Sequence, residues 1–253
     1  MKKVVLLGVL MGLFIGCEKS IPVVDPTALD DRNIYIRMYK YFDGDLLDTS
    51  AIYQINGDII KINSIYVTLS GARFTRFDDL DTVVTESDLT MIDVTTTSEV
   101  KLAHLPRGSY NGTLTYNIGL DSARAFKAPE NFEDGNPLKK GSVWNGGDIG
   151  HSFFQIEGGI FAPTDTVFNN PQSTFVWRFA TPDLMVEKNE KRNFSVASNK
   201  DVFFVMNLDV EKLFLGLTPS QTPVINSDPA DATDFNNAKI LRDNVISEFV
   251  FEL

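Results

Sequence analysis

Two histidines, His104 and His151, are the side chains of this sequence best suited to bind a transition metal. Imidazole nitrogen is a common ligand of such ions, and each histidine stands at the end of a predicted strand, where a ring nitrogen can be presented at the rim of a sheet. Neither has a second ligand at short spacing, which for either one alone favours an isolated surface or strand-end histidine. Possible thioether donors elsewhere are Met38, Met91, Met185 and Met206.

Trp144 is the other residue with a chemically distinctive setting. It is followed by Asn-Gly-Gly-Asp at positions 145–148, a flexible context that would leave the indole accessible to an oxidant. The alternative is a loop aromatic folded back onto the core. Trp177 alternates with Phe175 and Phe179, which predicts a strand with all three rings in the core.

Acidic side chains are frequent, and three places have a structural interpretation. Asp121 follows Gly119 and is predicted to stabilise the start of the next segment by a side-chain hydrogen bond. Glu157, next to apolar Ile156, is either an outward strand residue or a buried carboxylate that holds a long loop. The run Asp78-Asp79-Leu80-Asp81 lacks the glycine and spacing of a calcium loop, which predicts a solvated hairpin tip.

The overall charge and the missing motifs exclude several classes of function. A net charge of -11 at pH 7 opposes binding to nucleic acid, because that affinity depends on Lys and Arg neutralising phosphates. The sequence has no Gly-rich phosphate loop, no GxSxG and no HExxH. Asp121, Asp148 and Glu157 do not have the spacing that would suggest a glycosidase pair. We expect a binding protein rather than an enzyme.

Residues 1–17 have the pattern of a secretory signal, with two lysines and an apolar core too short to span a bilayer. The run Leu13-Phe14-Ile15-Gly16-Cys17 resembles a bacterial lipobox. We therefore expect acylation of Cys17, the only cysteine, and a lipid anchor at the periplasmic or outer-membrane face of the cell envelope. An ordinary signal peptide cut elsewhere is the alternative. Residues 18–32 are predicted to be an extended tether.

Alternation of apolar and polar residues dominates positions 33–253 and predicts one mainly all-β domain, an antiparallel β-sandwich with one or two short helices. The predicted strands are 34–42, 59–77 (as two strands or one bulged strand), 89–94, 100–105, 110–118, 152–161, 174–179, 194–197, 202–208 and 249–251. A helical turn is expected at 209–214, and a C-terminal helix from Asp231 to about Asn244 would bury Phe235, Ile240 and Leu241. The polar stretch 124–150 has little periodicity, and so long a loop is often functional.

Four segments resemble the MbnP-like family in the family's own order. Leu105-Pro106-Arg107-Gly108 and the following residues 110–122 resemble its core motif, vPaGxYxxixFxiGVDS. Residues 53–57 with 66–70 resemble its early strands, residues 150–158 its GYkFxxxEG strand, and Val210 to Phe214 its late short helix. The resemblance covers the chain from about residue 33 to the C terminus.

The resemblance implies an extracytoplasmic β-rich domain that binds copper or another metal. In some relatives a di-haem, peroxidase-like partner oxidises a Trp to kynurenine, which joins the metal site. On this basis the candidate copper ligands are His151, His104 and Trp144. The sequence departs from the family's pattern in having one Trp shortly before Gly150 rather than two, and His151 in place of Tyr. The alternative is an interaction or ligand-presenting lipoprotein that keeps the fold without the metal and uses loop 124–150 as its contact surface.

Overall fold

The computed structural model describes residues 32–76, 83–84, 89–105, 107–141, 143–197 and 200–252. The predicted signal peptide, Cys17, the tether up to residue 31 and the acidic run at 78–81 lie outside the described residues. Within the described ranges, none of the helices has both the length and the apolar character needed to cross a membrane.

Strands make up most of the regular structure, as the alternation predicts. In chain order they are β1 (Arg32–Phe42), β2 (Asp45–Leu46), β3 (Tyr53–Ile55), β4 (Asp58–Arg76), β5 (Val83–Val84), β6 (Leu89–Asp93), β7 (Glu99–Leu105), β8 (Gly108–Ile118), β9 (Phe154–Phe161), β10 (Ser173–Phe179), β11 (Val186–Val196), β12 (Val202–Asp209), β13 (Val224–Ile225) and β14 (Phe251–Glu252). The helices are α1 (Ser122–Ala125) and α2 (Ala232–Glu248), with short 3₁₀ turns at Pro129–Asn131, Pro137–Lys140, Pro182–Leu184 and Glu211–Phe214.

The strands form two sheets in a sandwich-like arrangement, which confirms the predicted fold class. In the smaller sheet the strands are hydrogen-bonded in the order β14-β12-β1-β2, and β7 also pairs with β1. In the larger sheet the order of pairing is β11-β8-β4-β9-β10-β13, and β3, β5 and β6 also pair with β4. Pairing is antiparallel except for β1 with β12 and β10 with β13, which are parallel. Both sheets are therefore mixed rather than purely antiparallel, because these strands are distant in sequence and pair through crossovers instead of hairpins.

β4 is the central strand of the larger sheet and is one bulged strand rather than two. Its pairing register shifts between Ile62 and Ser64 and again between Ser70 and Arg73. Its apolar residues face the core beside those of β9 and β10, and β10 in turn contacts α2. Fully buried side chains on this face include Ile65, Val67, Phe154, Ile156, Phe175, Trp177 and Phe179. The prediction that Trp177 belongs to the core is confirmed.

β8 and β9 lie end to end along one edge of β4. The N–H of Thr68 donates to the carbonyl oxygen of Phe153 (2.8 Å), and the carbonyl of Thr68 accepts from the N–H of Gly119 (2.9 Å). The N–H and C=O of one strand residue point to the same edge of the strand. Residues 119–153 therefore leave the sheet after β8 and return to it before β9 at the same point, beside Thr68. We call this segment the covering loop.

The covering loop packs on the face of the larger sheet that points away from the core. Its residues Asn145 and Ser152 are hydrogen-bonded to Arg178 and Gln155, which alternate along their strands with the core-facing aromatic residues. Leu120, Ala125, Leu138 and Val143 of the loop are buried. The segment that looked irregular in sequence is thus a folded layer. Asp121 caps α1 by accepting from the N–H of Arg124 (3.1 Å), as predicted.

The C-terminal helix is present, and Asp231 caps it by accepting from the N–H groups of Thr233 and Asp234. It continues to Glu248, beyond the predicted end. Leu241 is buried, but Ile240 is 38% exposed, so its predicted burial is wrong. The helical turn predicted at 209–214 is a 3₁₀ turn at Glu211–Phe214.

Candidate metal centre

His151 and Trp144 face each other across a short hairpin near the end of the covering loop. The two residues form an antiparallel bridge, and their ring centroids lie 4.7 Å apart. The N–H of Asn145 donates to the carbonyl of Gly150 (3.0 Å), and the N–H of Gly150 donates to the carbonyl of Gly146 (2.7 Å), which closes the turn. The indole is half-buried. Trp144 is therefore folded onto the imidazole and keeps an exposed part.

The hydrogen bond of His151 fixes which ring nitrogen is available. The side chain is 0% exposed, and Nε2 lies 2.9 Å from the carbonyl oxygen of Lys127. A carbonyl can only accept, so Nε2 carries the proton of the neutral ring and Nδ1 carries the lone pair. Burial lowers the pKa of His151, and the bond to the Lys127 carbonyl opposes this in part. The ring is consequently neutral at pH 7.

Nδ1 of His151 is buried and has no hydrogen-bond partner within the described part of the chain. A buried polar atom left without a partner costs about 1–3 kcal/mol. Histidines that bind metals usually donate the other ring N–H to a backbone carbonyl or a carboxylate, which is the arrangement of His151. The orientation of the ring is therefore compatible with a ligand at Nδ1.

Close backbone packing holds His151 in place. Its N–H donates to the carbonyl of Ala125 (2.9 Å), and Phe132 packs edge-on against the imidazole at 5.6 Å between centroids. Gly150 approaches Ala125 so closely that a Cβ would lie 2.3 Å from the Ala125 carbonyl oxygen, and its φ is +81°. Only glycine meets both conditions. The imidazole position is thus determined by α1 and the segment after it.

His104 lies on β7, opposite Asn33 of β1. Its neighbours Ala103 and Leu105 line the core with Ile34, so alternation places His104 on the outer face of the smaller sheet. His151 lies under the covering loop, on the outer face of the larger sheet. The structure does not bring the two imidazoles together.

Within the described ranges, no three His, Cys, Asp or Glu side chains are close enough to hold one ion. Met38 and Met206 are paired in register on β1 and β12 and buried in the core. Of the sequence-predicted ligands, His151 and Trp144 are the two that the structure brings into contact.

Five polar side chains connect the hairpin to the larger sheet, and we call them the polar chain: Arg178, Asn145, Ser152, Gln155 and Glu157. Arg178 Nη1 donates to Asn145 Oδ1, and Asn145 Nδ2 donates to Ser152 Oγ (2.7 Å). The Ser152 hydroxyl donates in turn to Gln155 Oε1 (3.1 Å). Gln155 Nε2 then donates to Glu157 Oε1 (2.5 Å). Glu157 lies on the same outward face of β9 as Gln155 and is half-buried, and it is linked to the loop through the Gln155 amide.

Sequence reasoning missed Asn145 and Arg178. Both bind across a long sequence separation, which no local pattern reports. The one available signal was the Asn-Gly pair at 145–146, because Asn-Gly favours tight hairpin turns.

The chain is thus a mixed β-sandwich with a histidine and a tryptophan paired in a loop layer. The family model MbnP matches residues 31–229, and the chain therefore belongs to the MbnP family. The solved structure of MbnP from Methylosinus trichosporium aligns with a TM-score of 0.50 at 12% identity, covering 73% of this chain and 78% of that one. At this identity the likeness concerns the fold alone. A comparison with curated proteins gives no match.

Proposed function

We propose that the protein binds copper without catalysis, with His151 Nδ1 as a ligand and Trp144 beside it. The observation that carries the proposal is the buried Nδ1, whose ring is oriented by the Lys127 carbonyl and which lacks any hydrogen-bond partner among the described residues. Imidazole nitrogen is a suitable ligand for copper. Membership of the MbnP family supports copper over other metals, since that family is associated with copper acquisition.

Trp144 would have a second role if it is oxidised. In some relatives a di-haem, peroxidase-like partner converts a Trp to kynurenine, which joins the metal site. Trp144 is half-buried and lies against His151, so it is the tryptophan placed for such a reaction, whereas Trp177 is fully buried. We assign His104 no part in this site, because it lies on the opposite side of the sandwich.

We further propose that Cys17 is acylated and that the protein is anchored in the cell envelope, at the periplasmic or outer-membrane face. The support is the lipobox-like run and the lone cysteine. Native protein from cells grown with labelled palmitate should carry the label, and Cys17→Ser should abolish it. Unlabelled native protein that retains its initial methionine would reject the anchor.

The copper proposal is tested by titrating metal-free protein with Cu(I) against a competing chelator. We expect about one ion per chain, loss of most affinity in His151→Gln, and no loss in His104→Gln, the matched control. Glutamine can still donate to the Lys127 carbonyl, so the hairpin should stay folded. Absence of binding by the wild type, or equal affinity in His151→Gln, contradicts the proposal.

A second function is favoured by Phe126, which is 41% exposed on the covering loop. An exposed aromatic side chain beside the candidate site suits a contact surface for another protein. If the wild type fails to bind copper, the interaction or ligand-presenting lipoprotein becomes the preferred function.

A further inference from the structure

We propose that Glu157 is a positioning residue for the His151–Trp144 pair, acting through the polar chain, and that it sets the copper affinity without touching either ring. The inference rests on the proposed function. It concerns a carboxylate on β9 that is separated from Asn145 of the hairpin by two intervening side chains, Ser152 and Gln155.

The polar chain has a fixed direction because its ends are charged. The Arg178 guanidinium can only donate, and an ionised Glu157 carboxylate can only accept. Glu157 therefore turns the Gln155 amide so that Nε2 faces it and Oε1 faces Ser152. The Ser152 hydroxyl then donates its proton to Gln155 Oε1, and the lone pairs of Ser152 Oγ accept from Asn145 Nδ2.

At the other end, Arg178 fixes the orientation of the Asn145 amide. The Arg178 N–H needs an acceptor, so the Asn145 amide must turn Oδ1 toward Arg178 and Nδ2 toward the backbone of the hairpin. There Nδ2 lies 3.1 Å from the carbonyl of Val143 and 3.1 Å from that of Gly150, besides its bond to Ser152. Val143 precedes Trp144, and Gly150 precedes His151. One amide group therefore holds the backbone beside both rings.

The two charges also interact directly. Burial lowers the pKa of Arg178, and the charges of Glu157 and Asp234 oppose this in part, so the two carboxylates offset part of the cost of burying the guanidinium. Hydrogen bonds that run in one direction between a cation and an anion polarise one another. Replacing Glu157 by Gln removes the negative charge and puts an amide, which can both donate and accept, where the carboxylate could only accept. The Gln155 amide can then rotate, and the bonds that orient Asn145 lose their common direction.

The test compares Glu157→Gln with Glu187→Gln, which makes the same chemical change on the exposed β11. We expect Glu157→Gln to weaken Cu(I) binding about tenfold, the lower range for residues that orient a metal ligand. Glu187→Gln should stay within about twofold of the wild type, because its carboxylate is solvated. Equal affinities of Glu157→Gln and wild type would overturn the inference.

A double-mutant cycle tests whether Glu157 acts through Asn145. Asn145→Asp can still accept from Arg178 but cannot donate to Val143, Gly150 or Ser152. If both residues act through the polar chain, Glu157→Gln should have little further effect in the Asn145→Asp background. Additive losses would overturn the route. Asn136→Asp is the matched control in the same loop, because the Asn136 side-chain oxygen accepts from the N–H of Leu138 and aspartate can accept the same bond.

A metal-free measurement separates this inference from the copper proposal. Protein labelled with 5-fluorotryptophan has two ¹⁹F resonances, one for each tryptophan, and Trp144→Phe assigns them. We expect Glu157→Gln to shift or broaden the Trp144 resonance and to leave that of Trp177 unchanged. If the wild type binds no Cu(I) but this shift occurs, the copper proposal fails and the positioning role stands. An unchanged Trp144 resonance overturns the positioning role.

A variant that lowers the stability of the protein at a distant position shows whether a general loss of stability could cause the effects of Glu157→Gln. Tyr116→Phe removes a buried hydrogen bond to Glu190 on the smaller-sheet side of the larger sheet. It should lower the free energy of unfolding but leave both the Trp144 resonance and the Cu(I) affinity as in the wild type. A Trp144 shift of the same size in Tyr116→Phe would reduce Glu157 to a general stabilising residue and overturn the inference.

Discussion

Gly119 and Phe153 meet where the covering loop leaves and re-enters the larger sheet. A Cβ on Gly119 would lie 2.6 Å from Cδ2 of Phe153, and the φ of Gly119 is +121°. Both residues are also hydrogen-bonded to the backbone of Thr68. The whole loop is thus an insertion into what would otherwise be a continuous pairing along one edge of β4, and its two ends are closed by contact between a glycine and an aromatic ring.

Gly119→Ala should therefore destabilise the protein by about 2 kcal/mol or more, because it adds both overpacking and a strained backbone. The measurement is urea unfolding followed by circular dichroism. Gly147→Ala is the control, since a Cβ there meets no atom within 4 Å and its φ is not in the left-handed region. A difference below about 0.5 kcal/mol between the two variants would contradict the close contact.

The metal-free protein should lose stability as the pH falls below about 6.5. Burial lowers the pKa of His151 below its ordinary value of 6.5, so the unfolded chain takes up a proton at a pH where the folded chain does not. Stability from this group is complete above pH 6.5 and decreases as the pH falls toward the folded pKa. Unfolding midpoints between pH 7.5 and about 5 measure the slope.

His151→Gln should have a smaller slope over the same pH range, since glutamine does not titrate. In the His104→Gln background, His151 is the only imidazole, and its ring proton resonance reports the pKa directly by NMR. A value above 6.5 would contradict the burial of a neutral ring.

Trp144 should be oxidised before Trp177 by a limiting amount of N-bromosuccinimide. Trp144 is half-buried in the covering loop, whereas Trp177 is 0% exposed and its Nε1 donates to the carbonyl of Thr222. Intact mass should show addition of one oxygen per chain, and peptide mapping should place it at Trp144. Trp144→Phe should resist oxidation under the same conditions. Oxidation at Trp177 first would show that the indole exposures are reversed.

Most of the sandwich could be predicted from sequence because its central strands alternate clearly. Residues 34–42 and 202–208 were identified within a few positions of β1 and β12. The first half of β11 was not, because charged residues occupy both of its faces from Glu187 to Asn193. Such a pattern is common in edge strands, where charged side chains oppose pairing with another chain. It has no alternation of apolar and polar residues from which a strand could be predicted. The parallel pairs were also missed, since pairing across long crossovers leaves no local signal.

The site was predictable by residue type but not by arrangement. His151 and Trp144 stand close together in sequence, so a hairpin could bring them into contact. The separation of His104 from His151 depends on which sheet each strand joins, and the sequence does not specify it. The orientation of the imidazole depends on the backbone of Lys127, and any residue there would supply the same carbonyl. A sequence motif therefore cannot report it.

The hydroxyl of Tyr116 donates to Glu190 Oε1 (2.7 Å). Glu190 also pairs with Arg192 and accepts from the N–H of Phe251 (3.4 Å), so the group ties β14 to the larger sheet. Tyr116→Phe should cost about 1.5–3 kcal/mol, the range for a hydrogen bond to a charged group. Tyr39→Phe, on a side chain that is 40% exposed, should cost almost nothing.

The same group predicts a loss of stability in alkali. Burial, and then the charge of Glu190, raises the pKa of Tyr116 well above its ordinary value of 10. The folded chain therefore keeps a proton that the unfolded chain releases, so this stabilisation is complete below pH 10 and decreases as the pH rises further. Urea unfolding between pH 9 and about 11 should give a steeper decline for the wild type than for Tyr116→Phe. Equal slopes would mean that Tyr116 ionises as freely in the folded protein as in the unfolded one, which its buried bond to Glu190 does not allow.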